Sequence, residues 1–110
     1  MKFNIRTIAY FDKQFKRLSK KFPSLKTDFL ALIDTLSTNP KTGTAIGNDC
    51  YKIRMSITSK GKGKSGGARV ITYVTIEDST VFLLSIYDKT DQSSIHDKQL
   101  LKLLKYAKQQ

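Results

Sequence analysis

Acidic residues are scarce in this chain, and one long stretch has none. The 110 residues include nine aspartates and glutamates against twenty lysines and arginines, which gives a formal net charge of +11. No acidic residue lies between Asp49 and Glu77. A basic excess of this size favours an acidic partner, which means nucleic acid, an anionic membrane or an acidic protein.

Cysteine, histidine and long apolar runs are also scarce. The single cysteine, Cys50, cannot form an internal disulfide bond and excludes a cysteine-based structural zinc site. The single histidine, His96, has no second histidine beside it, so we expect neither a metal nor a cofactor. No apolar run approaches the length of a signal-peptide core or a membrane span. The expectation is therefore a soluble, cytoplasmic protein with no membrane partner.

The first half of the chain predicts a strand followed by two helices. Residues 3–9 alternate as an edge strand. Apolar residues then recur at helical spacing up to Phe22, with five basic residues on the other side of the predicted helix. Pro23 ends this helix, Ser24 is a plausible N-cap for the next one, and Asn39-Pro40 closes it. Residues 41–50 are predicted to be a loop.

The second half predicts three strands and a last helix. Alternating or apolar stretches at 51–57, 68–74 and 81–87 are typical of neighbouring strands, and the leucine-rich end is typical of a helix. The order is β-α-α-β-β-β-α, within a single domain over residues 1–110. We expect an α+β fold with a mostly antiparallel sheet and with helices packed on one of its faces.

Basic residues mark the predicted hairpin. Strand alternation places Lys52 and Arg54 on one face, Arg69 begins the partner strand, and Lys89 follows the last strand. Whether Arg69 shares the face of Lys52 depends on the hairpin register. An ordinary solvated sheet face explains this pattern about as well as a binding surface does. The glycine-rich loop carries three further lysines, for which docking on RNA is the favoured interpretation: Lys60, Lys62 and Lys64.

The combination of short motifs resembles the RelE/HigB/YoeB-type toxins of bacterial type II toxin–antitoxin modules, within the RelE/ParE superfamily. The resemblance covers nearly the whole chain, and the order and spacing of its motifs carry it. These motifs are Phe11-Asp12-Lys13-Gln14-Phe15-Lys16-Arg17-Leu18, Asn39-Pro40, Tyr51-Lys52-Ile53-Arg54, Gly67-Ala68-Arg69-Val70-Ile71 and Leu84-Ser85-Ile86-Tyr87-Asp88-Lys89.

The resemblance implies a metal-independent endoribonuclease that cuts mRNA in the ribosome, and an antitoxin that neutralises it, expected in a heterotetramer. Matched by position, Lys52 and Arg54 are the strand cations that contact phosphate or act as the base. Arg69 matches the arginine that stabilises the phosphorane, and Lys89 falls near the leaving-group acid. Lys52 is the better candidate for the base, because an arginine stays protonated in proteins. The family often has a tyrosine near the last helix, and here His96 or Tyr87 takes that RNA-binding role.

Three alternatives stay open at this point. The chain could be a ParE-type inhibitor of DNA gyrase on the same scaffold. It could be a nucleic-acid-binding module without catalysis, for which charge alone would suffice. It could also be a domain whose basic face serves only to bind an acidic antitoxin. The cations Lys52, Arg54, Arg69 and Lys89 favour the nuclease without excluding the other three.

Overall fold

The computed structural model describes residues 2–61, 63 and 65–110, and these form a five-stranded sheet with three α-helices. The elements are β1 (Asn4–Thr7), α1 (Ala9–Lys21), α2 (Leu25–Thr38), β2 (Thr44–Gly47), β3 (Cys50–Met55), a 3₁₀ turn (Thr58–Lys60), β4 (Ala68–Thr75), β5 (Thr80–Asp88) and α3 (Asp97–Lys108). The predicted α+β class is confirmed, and every predicted helix and strand is present.

Strand β2 is the one strand in the described sheet that the sequence pattern did not predict. It lies within residues 41–50, which were expected to be a loop. Asn48 and Asp49 adopt positive φ angles of 56° and 60°, so the chain reverses tightly after Gly47. Thr44 is thereby placed opposite Lys52, and β2 becomes an antiparallel edge strand beside β3.

The two N-terminal helices begin and end for local reasons. The conformation of Phe22 is extended, as expected for a residue before proline, and α1 ends there. Ser24 occupies the N-cap position of α2 as predicted, but its hydroxyl donates to the Asp28 carboxylate (2.8 Å) instead of capping the helix. The Phe29 ring of α2 lies 5.4 Å from the Phe11 ring of α1, so the two helices pack side by side.

The sheet has the strand order β1-β5-β4-β3-β2. Only β1 and β5 run parallel, and all other neighbours are antiparallel. All nine residues of β5 are buried, and because side chains alternate along a strand, both faces of β5 must be covered. Both faces need cover because the apolar run at the centre of this strand places apolar side chains on each of them.

The helices divide between the two faces. Lys60 Nζ lies 2.8 Å from Asp88 Oδ1 and 5.4 Å from the centre of the Phe22 ring, so α1 ends on the Asp88 face, and α2 packs beside α1. Tyr73 belongs to the opposite face of the sheet, and Lys108 at the end of α3 lies 5.8 Å from its ring. The expectation of helices on one face therefore holds for α1 and α2, whereas α3 covers part of the other face.

Within the described part of the chain, no helix has the length and apolar character needed to cross a membrane.

Candidate functional site

Two arginines and a tyrosine form a row across three neighbouring strands. Arg54 of β3 is paired with Arg69 of β4, and Arg69 is paired with Tyr87 of β5. Residues directly opposite each other in antiparallel strands have Cα atoms about 4.5–5.5 Å apart and side chains on the same face. The register therefore places Arg69 on the face of Arg54 and Lys52, which the sequence alone left undecided. We call Arg54, Arg69 and Tyr87 the cationic row.

The cationic row runs from solvent into the protein. Arg54 is exposed, whereas Arg69 is 2% exposed and Tyr87 is 4% exposed. The Arg69 guanidinium donates to the Ala68 carbonyl oxygen (3.1 Å) and to the Ser65 carbonyl oxygen (3.3 Å). Like charges directly opposite each other destabilise a sheet, so two arginines in this arrangement favour an anion beside them.

The Tyr87 hydroxyl is buried and has no hydrogen-bond partner among residues 2–61, 63 and 65–110. Burial raises the pKa of Tyr87, and the nearby Arg69 charge opposes that rise. The phenol is therefore protonated at neutral pH and can donate. A buried donor without an acceptor is costly, and an oxygen of a bound anion next to Arg69 would satisfy it.

Lys52 is half-buried two residue pairs along from the cationic row, opposite Ile71. It lies between two cavities. The larger, about 460 Å³, is open to Arg54 and to the segment before β2, and is lined by Thr42, Gly43, Thr44, Lys52, Ile53 and Arg54. The smaller, about 210 Å³, reaches α3 and is lined by Ile46, Lys52, Ser94, Ile95, Asp97 and Leu100.

Lys89 is exposed immediately after β5, two residues beyond Tyr87. Its backbone N–H donates to the Gly67 carbonyl oxygen (3.1 Å), which ties the end of β5 to the start of β4. Asp88 accepts a hydrogen bond from the Thr90 N–H (3.0 Å) and so fixes the turn that carries Lys89. Asp88 therefore holds the loop that follows β5.

Lys60 does not extend into solvent from the glycine-rich loop. Its side chain is 10% exposed and forms an ion pair with Asp88, whose side chain is 1% exposed, at 2.8 Å. Its ammonium group is therefore engaged on the face opposite the cationic row, and docking of Lys60 on RNA stays a prediction. Lys62 and Lys64, for which the same role was predicted, lie outside the described residues.

His96 is exposed at the N-cap position of α3, and its side chain makes no capping hydrogen bond. Its neighbours Ile95 and Asp97 line the smaller cavity beside Lys52. The structure thus brings the start of α3 near Lys52, but it does not bring the imidazole into the cationic row. Tyr87 is the aromatic residue that lies in that row.

Cys50 and the acidic residues offer no alternative chemistry. Burial, assisted by the Asp49 charge, raises the pKa of the Cys50 thiol to about 12, so the thiol is inert at neutral pH. Among the residues that the structure describes, no three histidine, cysteine, aspartate or glutamate side chains are grouped so that they could hold a metal ion.

The segment before β2 was missed by the sequence analysis. Gly43 has a φ angle of +102°, and a Cβ atom there would lie 2.5 Å from the Lys52 carbonyl oxygen and 2.9 Å from Ile53 Cγ1. Only glycine allows this close approach to β3, which forms one wall of the larger cavity. The Thr-Gly-Thr sequence at 42–44 was the available signal, but it indicated only a loop.

Comparisons with known proteins agree with this architecture. The family profile of the RelE toxin of the RelE/RelB toxin–antitoxin system matches residues 8–110. A mutant of the E. coli toxin RelE in the free state superposes with a TM-score of 0.65 at 18% identity, over 96% of this chain and 97% of that one. The isolated E. coli RelE toxin superposes with a TM-score of 0.56 at 20% identity, over 94% of this chain and 97% of that one.

A third similar structure belongs to a complex. The chain matched in the intact E. coli RelBE toxin–antitoxin complex has a TM-score of 0.51 at 21% identity, over 78% of this chain and 95% of that one. At identities of 18–21%, these structures establish a shared fold.

Proposed function

We propose that this chain, which belongs to the RelE toxin family of toxin–antitoxin systems, is a ribosome-dependent endoribonuclease that cleaves mRNA without a metal ion. In the reaction the ribose 2′-oxygen attacks the adjacent phosphorus while the bond from phosphorus to the 5′-oxygen breaks. The 2′-OH proton passes to a base, and the leaving 5′-oxygen receives a proton from an acid. The products are a 2′,3′-cyclic phosphate and a 5′-OH.

The pairing of Arg54 with Arg69 is the observation that carries this proposal. The pentacoordinate phosphorane bears more negative charge than the ground-state diester, so preorganised cations stabilise it preferentially. The two arginines are held by strand pairing and need little rearrangement when that charge develops. Arg54 contacts the phosphate from the solvent side, and Arg69 exchanges its 3.3 Å bond to the Ser65 carbonyl oxygen for a phosphate oxygen.

The remaining residues take the proton-transfer roles. Lys52 is the candidate base because it lies next to the cationic row in a cavity open to Arg54. Lys89 is the candidate acid for the 5′-oxygen, since it is exposed at the same end of β5 as Tyr87. The Tyr87 hydroxyl donates to the bound phosphate, which supplies its missing acceptor.

An antitoxin protein is the proposed partner of this chain. The similar chain from E. coli is found in the RelBE toxin–antitoxin complex, and a RelE mutant is found with an antitoxin RelBc peptide. A net charge of +11 suits an acidic antitoxin segment that competes with RNA for the same cations. A heterotetramer of two toxins and two antitoxins is the proposed assembly.

The experiment combines the purified chain with ribosomes that hold a defined codon in the A site. Primer extension maps new 5′-ends, and the chemistry of each end is determined. A 5′-OH and a 2′,3′-cyclic phosphate within the A-site codon are expected. Intact mRNA under these conditions would contradict the proposal, and linear plasmid formed in the presence of DNA gyrase would replace it with the ParE-type function.

A further inference from the structure

We propose that α1 carries a second polyanion-binding surface, distinct from the cationic row, which binds the phosphate backbone of double-helical RNA. Five exposed basic side chains recur on α1 at intervals of three, one, three and one residues, which is the spacing of one helix face. We call them the α1 stripe: Lys13, Lys16, Arg17, Lys20 and Lys21.

The α1 stripe is available for binding. Within the described residues the only ion pair joins Lys60 to Asp88, so no carboxylate neutralises a stripe residue. Lys21 lies 5.3 Å from the centre of the Phe22 ring, a cation–π contact that supplies no formal negative charge. The one acidic residue of α1 is Asp12, next to Lys13 at the start of the stripe.

Such a stripe costs stability through self-repulsion unless an anion lies along it. Like charges three and four residues apart destabilise an isolated helix by about 0.2–0.5 kcal/mol per pair. The stripe contains several such pairs. Over the eight residue steps from Lys13 to Lys21 the helix rises about 12 Å, a length along which a nucleic-acid duplex presents several phosphates.

The C-terminal end of the stripe and the cationic row lie on different sides of the sheet, whereas Lys13 and Lys16 line a cavity shared with Tyr106 of α3. The C-terminal end of α1 packs on the face of Asp88, and the row occupies the face of Tyr87. One single strand is therefore not expected to follow both surfaces. An RNA duplex suits the stripe because duplex RNA is recognised mainly through phosphates and shape. The stripe adds a docking surface to the one predicted for the lysines of the glycine-rich loop.

The test measures binding of a 16-base-pair RNA duplex by fluorescence anisotropy across a range of salt concentrations, with no ribosome present. The stripe variant carries Lys16→Gln, Arg17→Gln and Lys20→Gln. The matched control carries Lys98→Gln, Lys102→Gln and Lys105→Gln on the exposed side of α3. Each triple substitution lowers the net charge of +11 by three units, so the two variants lose the same charge at different places.

The slope of log affinity against log salt concentration is expected to be smaller in magnitude by about 2.7 for the stripe variant. Each of the three lost phosphate contacts contributes about 0.9 to that slope. At physiological salt this corresponds to a loss of affinity on the order of 100-fold, whereas the α3 control loses less than about 5-fold. Thermal unfolding of both variants at the wild-type temperature verifies that they are folded.

Two results would overturn the proposal. The first is an equal loss in both variants, which would mean that only net charge matters. The second is unchanged duplex binding in the stripe variant. If the antitoxin complex is weakened at the same time, the stripe is a protein-docking surface instead. None of these measurements uses mRNA cleavage, so failure of the proposed nuclease activity would leave the result on the stripe intact.

Discussion

Replacing Lys60 by methionine should strongly destabilise the protein at neutral pH. The substitution keeps the apolar stem beside Phe22 but removes the cation that is paired with the buried Asp88 carboxylate. Breaking a buried ion pair by removing one partner typically costs about 3–5 kcal/mol, because an uncompensated charge stays behind. Asp88 still accepts from the Thr90 N–H, so we expect the lower end, about 3 kcal/mol, or roughly 12 °C in Tm for a domain of this size.

The pH dependence of this loss follows from the pKa of Asp88. Burial acts to raise that pKa, but hydrogen bonds from Lys60 and Thr90 outweigh burial and hold it below the usual value of 3.8. In the wild type, the contribution of Asp88 is therefore present above about pH 4 and is lost as the pH falls further. In Lys60→Met, the effect of burial on Asp88 is no longer opposed by Lys60, so we expect the pKa of Asp88 to rise. Protonation then relieves the buried charge, and the difference between the variant and the wild type shrinks towards about pH 4.

The assay is urea unfolding followed by circular dichroism at pH 7 and at about pH 4. Lys105→Met serves as the control, because Lys105 is exposed on α3 and should change stability by less than about 0.5 kcal/mol. Adding Asp88→Asn to Lys60→Met should recover part of the loss at pH 7. A loss below about 1 kcal/mol, or one that is equally large at both pH values, would refute the ion-pair argument.

Three further predictions concern the framework of the site. Gly43→Ala should cost about 2 kcal/mol more in urea unfolding than Gly47→Ala, because both positions have positive φ but only Gly43 lacks room for a Cβ; equal costs would contradict the close approach to β3. Gln14→Leu should cost about 1–3 kcal/mol and speed hydrogen exchange at Ile86, whose N–H donates to the Gln14 side chain at 3.0 Å; unchanged exchange would contradict this contact. The Cys50 thiol, with its pKa raised to about 12, should react with a disulfide reagent at pH 8 roughly 1,000-fold more slowly than in the unfolded chain; equal rates would contradict its burial.

The sequence predicted the hairpin well because the strand alternation and the glycine-rich loop both indicated a hairpin there. The alternation at 51–57 and 68–74, separated by a glycine-rich loop, corresponds to β3 at Cys50–Met55 and β4 at Ala68–Thr75. Once the pairing is known, the faces of Arg54 and Arg69 follow from the period of two. The register itself was not predictable, because a one-residue slip of either strand leaves the sequence pattern unchanged.

Contacts between distant parts of the chain escaped the sequence analysis. Lys60 pairs with Asp88 across 28 positions, and a lysine among glycines gives no sign of burial. Strand β2 has four residues and no apolar alternation, so its pairing depends on the reversal at Asn48 and Asp49. The side of the sheet that α3 covers depends on packing against β5, since an amphipathic helix fits either face.

The rate of mRNA cleavage by Arg54→Gln tests the central claim most directly. Arg54 is exposed, so its substitution removes one cation of the row without leaving a cavity or a buried charge. Arg6→Gln, at an exposed position of β1, is the matched control. In single-turnover reactions on ribosome-bound mRNA, the account predicts a rate lower by about 10²–10³ for Arg54→Gln, with the unfolding temperature unchanged and with Arg6→Gln at the wild-type rate. Equal cleavage rates for Arg54→Gln and the wild type would contradict the assignment of the cationic row as the site that stabilises the phosphorane.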